Sequence, residues 1–251
     1  MSLVRIERAG AVRTVTLARP EKRNAINPEM MAAIREAFEA EPDADERVTV
    51  LRSEGSVFCS GLQLSSGGVD PQEAMNIEAM FTAVQHYPLP VVAVVQGAAI
   101  AGGCELALHC DFIVAMETAR FSMPLPKLGV TTTWFLTKKI METAGPFVAR
   151  EFLLLGDPFP ASRLHEFGVV ARTAAKDGLD NAANALIERL AANAPLAMRS
   201  MKAIMNKQAA FLFDIDRGDT QKMVEAVYAS ADALEGVKAM VEKRTPTFTG
   251  K

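Results

Sequence analysis

The chain has 251 residues, about half of them apolar, with 27 Lys and Arg against 30 Asp and Glu and a formal charge of −3. That length holds one domain with a full core or a core with a helical extension, and the near balance of charge gives no reason to expect nucleic acid or an anionic membrane as a partner. No apolar run is long enough to span a bilayer, MSLVRIERAG lacks the apolar stretch of a secretion signal, and an odd set of cysteines (Cys59, Cys104, Cys110) suits reduced buried thiols, so the expectation is a soluble cytoplasmic protein.

In chain order, Val12 to Leu17 alternates apolar and polar residues and predicts a strand with one buried face. Ala18 to Asn24 is a polar connection carrying Arg19, Lys22 and Arg23, which by itself reads as a solvated loop. Asn27-Pro28 supplies an N-cap with proline at the first helical position, and Met30, Met31, Ile34 and Phe38 give that helix one apolar face. Val48 to Leu51 predicts a short buried strand, and Gly55 to Leu62 leads from it into a turn of small residues. Ser65 to Pro71 reads as a mobile loop with proline opening the next helix. Met75, Met80, Phe81 and Val84 form its apolar stripe, suited either to the core or to a pocket wall.

Val91 to Val95 is apolar on both faces and predicts a buried strand. Gln96-Gly97 ends it, small residues run from Ala98 to Gly103, and Cys104 to Leu108 resumes a helical pattern. Glycine lets a ligand approach the main chain, and unpaired N–H groups at a helix start favour negative charge. The glycines equally suit close packing of a helix on a strand. Neither a P-loop nor G-x-G-x-x-G is present. Glu105 falls in the first turn of the helix, within reach of whatever the loop binds. A strand followed by a small-residue turn thus occurs twice, at Cys59 to Leu62 and at Ile100 to Gly103, and two such turns can supply the two converging donors of an oxyanion hole. Cys104, His109 and Cys110 match no zinc spacing.

Phe112 to Ala115 predicts another strand, Ala119 to Pro126 an irregular stretch, Thr133 to Ala144 and Pro146 to Leu155 two helices, and Gly168 to Ala171 a last strand. Leu179 to Leu190 and Leu196 to Lys207 are helical. Alternating strands and helices followed by helices alone indicate an α/β core, residues 1–190, and a helical C-terminal region, residues 191–251. No G-x-S-x-G elbow is present, and His86, His109 and His165 read as surface or satisfied core histidines.

Ala101-Gly102-Gly103-Cys104-Glu105-Leu106-Ala107 followed by Cys110-Asp111 resembles the signature of the crotonase superfamily, the enoyl-CoA hydratases and isomerases. Leu17 to Pro20 with Asn24-Ala25-Ile26, Phe58 to Gly61, Leu155-Gly156-Asp157 and Val241 to Arg244 with Phe248 fall in the family's order, so the resemblance covers essentially the whole chain. It implies a ClpP/crotonase-like α/β fold of repeated ββα units, with C-terminal helices that drive assembly as a homotrimer or a dimer of trimers. It also implies an acyl-CoA or enoyl-CoA thioester as substrate, coenzyme A being part of that substrate rather than a separate cofactor, and no metal. The main-chain N–H groups of Leu62 and Gly102 are the implied oxyanion donors and Glu105 the implied general acid/base. Lys22, Arg23 and Ala25 match the segment along the nucleotide and phosphates, Ser60, Gln63 and Leu64 flank the first donor, and Lys243 matches a lysine that reaches the CoA phosphate of a neighbouring subunit.

Leu125 is the informative departure. It stands where hydratases of this family carry a second glutamate, directly after Pro124, and it neither takes nor gives a proton. Three readings stay open: Glu105 working alone in hydration or a double-bond shift, a substitute carboxylate among Glu73, Glu78 and Glu142, or a non-catalytic acyl-CoA-binding protein. Thr131 to Trp134 stand in place of a glycine-rich run, and the bulkier Trp134 is expected to reshape or narrow the acyl channel.

Overall fold

A computed structural model describes residues 2–63, 71–210 and 218–250, with the backbone only at 71–75. The apolar runs of the sequence become a six-stranded sheet. Its strands are β1 (Val4–Ala9), β2 (Val12–Leu17), β3 (Val48–Ser53), β4 (Val91–Val95), β6 (Phe112–Met116) and β9 (Arg172–Ala174), in the order β1-β2-β3-β4-β6-β9. β1 pairs antiparallel with β2, and every later pairing in this sheet is parallel. A smaller sheet joins β5 (Ala99–Ile100), β7 (Arg120–Ser122) and β8 (Phe159–Pro160).

Both faces of the large sheet are covered, which is why β4 is apolar at every position. Val91, Ala93 and Val95 enter the main core with α1 (Pro28–Glu39), α2 (Pro71–His86) and α3 (Gly102–Leu108). Val92 and Val94 face the other way, onto α6 (Leu179–Ala191). Asn27 caps α1 by accepting the Met30 N–H at 2.9 Å, as its sequence predicts.

The structure differs from the sequence reading in four places. β1, exposed at all but Val4, gives no clear alternation and was not expected. The last strand begins at Arg172 rather than Gly168, because the N–H groups of Val169 and Val170 both return to the Leu164 carbonyl and close the turn after α5 (Ala161–Glu166). The stretch at Ala119 to Pro126 contains β7 and enters a 3₁₀ turn at Leu125–Leu128. The helices on either side of Gly145 run on as α4 (Trp134–Leu155), kinked at that left-handed glycine.

The remaining helices are α7 (Pro195–Ala210), α8 (Thr220–Tyr228) and α9 (Ala231–Glu242). α9 lies directly on the 3₁₀ turn: a Cβ on Gly236 would come within 2.2 Å of the Leu128 carbonyl oxygen. α7 is tied to the sheet by Lys202, whose Nζ donates to Asp111 Oδ2 at 2.5 Å and to the Leu89 carbonyl at 3.0 Å. No helix among the described residues is long and apolar enough to cross a membrane.

Candidate active site

The two glycine turns meet in space. A parallel bridge joins Ile26 to Leu62, with the Ile26 N–H on the Gly61 carbonyl and the Gln63 N–H on the Ile26 carbonyl, both at 2.8 Å. This pairing leaves the Leu62 N–H out of the ladder. Gly102, as the first residue of α3, has no earlier helical carbonyl to meet. Neither N–H has an acceptor among the described residues, and a Cβ built on Gly102 would lie 3.5 Å from the Leu62 nitrogen.

The backbone that presents these donors is strained. Ala101 has φ 47° and ψ −117°, a left-handed conformation that costs a non-glycine residue about 1–3 kcal/mol. Its N–H is fastened to the Ser122 carbonyl of β7 at 2.8 Å, so the small sheet holds the strained residue in place. The adjacent glycines divide the two roles that sequence left open. Gly103 serves packing, since a Cβ there would approach the Cys59 carbonyl oxygen to 2.3 Å, whereas Gly102 borders an open cavity.

That cavity has a volume of about 320 Å³. Ile77, Phe81, Met123, Leu128, Val130 and Leu136 make most of its wall, and Leu125 faces into it. From the C-terminal helices, Tyr228 and Met240 close it; the Tyr228 hydroxyl donates to the Thr131 carbonyl at 3.0 Å. Glu105 is the one carboxyl among the described residues that line it. It is fully buried, and neither of its oxygens has a hydrogen-bond partner among the described residues. Burial holds its pKa well above the usual carboxylate range, opposed by Lys139 and reinforced by Glu78. Glu105 therefore keeps its proton where an exposed glutamate loses it.

Among the other residues the sequence singled out, Ser60 borders the cavity and Leu62 and Gly102 form its donor rim. Lys22, Arg23 and Ala25 do not line it. They run beside the first donor turn, where the Ser60 N–H reaches the Arg23 carbonyl at 3.1 Å and Asn24, buried with φ 53°, donates its amide to the Glu54 and Val57 carbonyls at 2.9 Å. The side chains of Lys22 and Arg23 are exposed. Gln63 is exposed beyond the rim, and Leu64 and the loop at Ser65 to Asp70 lie outside the described residues. Lys243 is an exposed cap on α9, three residues past Met240.

Two sequence expectations need correction. Trp134 does not line the cavity; Thr131, Thr133 and Leu136 around it do, and its own indole N–H is buried without a partner. His109 is buried, but only Nδ1 is satisfied. Of the three substitute carboxylates, Glu142 is paired with Lys138 at 2.6 Å and the Glu73 side chain lies outside the described residues. Glu78 is half-buried and acts electrostatically on both Glu105 and Tyr228. In α2, Met80 and Val84 are core, whereas Phe81 serves core and cavity together. Tyr228 and Met240 had no signal in the sequence, because they reach the cavity only through long-range docking of α8 and α9.

Converging free main-chain donors beside a buried carboxyl, on a parallel sheet wrapped by helices, define a crotonase-fold protein. A family model described as enoyl-CoA hydratase/isomerase matches residues 7–251, and the chain belongs to that family. It is 32% identical to the 1,2-epoxyphenylacetyl-CoA isomerase of Escherichia coli, over 96% of this chain and 95% of that one. It is 29% identical to the probable enoyl-CoA hydratase echA6 of Mycobacterium leprae, over 99% and 100% of the two chains. A crystal structure of an enoyl-CoA hydratase from Mycobacterium avium subsp. paratuberculosis superposes with a TM-score of 0.87 at 26% identity, covering 98% of each chain.

Proposed function

We propose that this chain is an enzyme that transfers a proton on an enoyl-CoA thioester, with Glu105 as the single acid/base and the N–H groups of Leu62 and Gly102 as the oxyanion hole. One observation carries the reading: a buried carboxyl with no partner faces an apolar cavity beside two free main-chain donors. The thioester carbonyl oxygen accepts both N–H groups. Ionised Glu105 removes a proton from the α-carbon of a 3-enoyl thioester, the oxyanion holds the resulting dienolate, and Glu105 returns the proton at the γ-carbon to leave the 2-enoyl product. Losing one such donor typically costs about 3–4 kcal/mol of transition-state stabilisation.

Double-bond migration is the favoured reaction because it needs one carboxyl. Two-carboxylate hydration requires a second group to hold and deprotonate water, and the cavity presents Leu125 there. Lys22, Arg23 and the neighbouring subunit's copy of Lys243 are assigned to the CoA phosphates. Assembly as a trimer is supported by Leu196, Met201, Ile204, Met205 and Met223, apolar residues of the C-terminal helices that a single chain leaves exposed. Sedimentation of the purified protein reads this directly, and a monomer sinks it.

The test follows a 3-enoyl-CoA and a 2-enoyl-CoA with the wild-type protein and Glu105→Gln. Migration outpacing hydration, and loss of both in the variant, is the expected result. Turnover that survives Glu105→Gln removes the assignment of Glu105, and tight thioester binding with no turnover makes the chain a binding protein.

A further inference from the structure

One helical turn from Glu105, outside the lining of the substrate cavity, is a second buried polar group that the proposed chemistry leaves unused. His109 lies four residues after Glu105, so the two side chains stack along one face of α3. Both are inaccessible to solvent. The His109 ring folds back until Nδ1 is 2.7 Å from the Glu105 carbonyl oxygen. A carbonyl only accepts, so Nδ1 carries the hydrogen, and the neutral ring leaves Nε2 as a bare acceptor, buried without a partner. Phe81 and Phe135 both stack nearly parallel to the ring, at 4.9 and 5.2 Å between centroids, and limit its motion to small tilts. Phe81 is also cavity wall, which ties this clamp to the substrate site. In that pose Nδ1 stands 3.7 Å from Glu105 Oε2, just beyond hydrogen-bond distance.

We propose that His109 is a positioning residue for Glu105, its Nδ1–H being a donor that swings from the Glu105 main-chain carbonyl to Oε2 whenever the carboxyl is ionised. The inference rests on Glu105 being the acid/base. To act as a base, Glu105 must exist as a carboxylate in an apolar cavity, where a bare charge is strongly disfavoured. A donor shared between the main-chain carbonyl and Oε2 stabilises the ionised form and leaves the neutral form alone. A small tilt of the ring or of the carboxyl closes the gap.

Other charges surround the pair and are the same in every variant. α2 brings Glu78 and His86, α4 brings Lys138 and Lys139, the turn after α3 brings Cys110 and Asp111, and α7 brings Lys202. Lys139 favours ionised Glu105 and, with burial, disfavours a charged His109, so the imidazole acts as a neutral donor and not as an ion.

The experiment titrates Glu105 directly, by the infrared C=O band of its protonated carboxyl, assigned as the band missing from Glu105→Gln. His109→Phe keeps an aromatic ring between Phe81 and Phe135 and removes the donor; His109→Gln keeps an N–H. In His109→Phe the band is expected to persist about one pH unit or more higher than in the wild type, a tenfold or larger change in acid dissociation, with His109→Gln in between. The rising limb of the kcat/KM pH profile moves the same way, while KM stays within about twofold because the thioester contacts are untouched. A superimposable titration in folded His109→Phe overturns the proposal and leaves a packing role. If that variant does not fold, His109→Met takes its place against His109→Gln, and equal midpoints for those two have the same meaning. The infrared readout needs no turnover, so it is independent of the Glu105→Gln assay that decides the proposed function.

Discussion

The two ends of the α3 region bury charge in opposite ways. At its start, Glu105 is enclosed by apolar walls, and its oxygens have no hydrogen-bond partner among the described residues. Just past its end, the part-exposed Asp111 is paired: Oδ2 accepts the Val91 N–H at 2.8 Å and Lys202 Nζ at 2.5 Å, and Lys202 also meets the Leu89 carbonyl. The second arrangement is what a protein does to keep a fold, since it pairs the buried ammonium of Lys202. The first destabilises the ionised state and keeps a proton available, which suits chemistry rather than stability. The contrast separates an unpaired buried carboxyl from a paired one without reference to any substrate.

Substitutions break the contrast at each end. Glu105→Gln is expected to lower turnover by a factor of about 10² to 10⁴ while leaving thermal stability unchanged or raised, because a neutral amide replaces a group that resists ionisation. Melting and turnover measured on one preparation check this, and a variant that melts much earlier would mean that Glu105 is structural. Lys202→Met removes the cationic partner of the part-exposed Asp111 and the donor to the Leu89 carbonyl, with an expected loss of about 1–3 kcal/mol in denaturant unfolding. Its loss of activity follows unfolding alone, so activity per folded molecule stays near wild type.

A smaller effect sharpens the cavity side. Leu125→Glu places a second carboxyl in the cavity that Glu105 lines and is expected to shift the product ratio toward hydration by about tenfold, read by following both products from one 2-enoyl and one 3-enoyl substrate. An unmoved ratio would show that Leu125 does not decide the reaction. The smallest effect is in pH. Glu105 holds its proton in the folded state above the pH at which the unfolded chain releases it, so the folded state binds the extra proton and stability falls as pH rises through that window. His109 has the opposite sign, since burial holds its pKa down and stability falls as pH drops below the ordinary imidazole value. Glu105→Gln should flatten the first slope and His109→Phe the second, in unfolding curves taken across neutral and mildly acidic pH.

Much of this was legible in the residues. The strand-turn-glycine pattern at Gly61-Leu62 and Ala101-Gly102 announced two donors because both turns follow strands of one parallel sheet, which end on the same side. Glu105 was legible because helix geometry puts the first turn beside the loop it follows. The short strands β5 and β7 were not, since two or three residues carry no periodicity and pair only through the Ala101 to Ser122 contact and its neighbours. His109 read as an ordinary core histidine, because the flat contacts with Phe81 and Phe135 join residues distant in the chain.

By itself the sequence determined the longer central strands and helices, the two small-residue turns, and that one expected carboxylate is a leucine; these depend on local periodicity, φ preference and residue chemistry. Only the tertiary structure decided that the Leu62 and Gly102 nitrogens converge, that Tyr228 and Met240 close the cavity, and that Glu105 is unpartnered while Asp111 is paired. The reason is physical. Burial and pairing are properties of the packed whole, set by elements as far apart in the chain as α3 and α9, and no local pattern encodes the environment that shifts a proton.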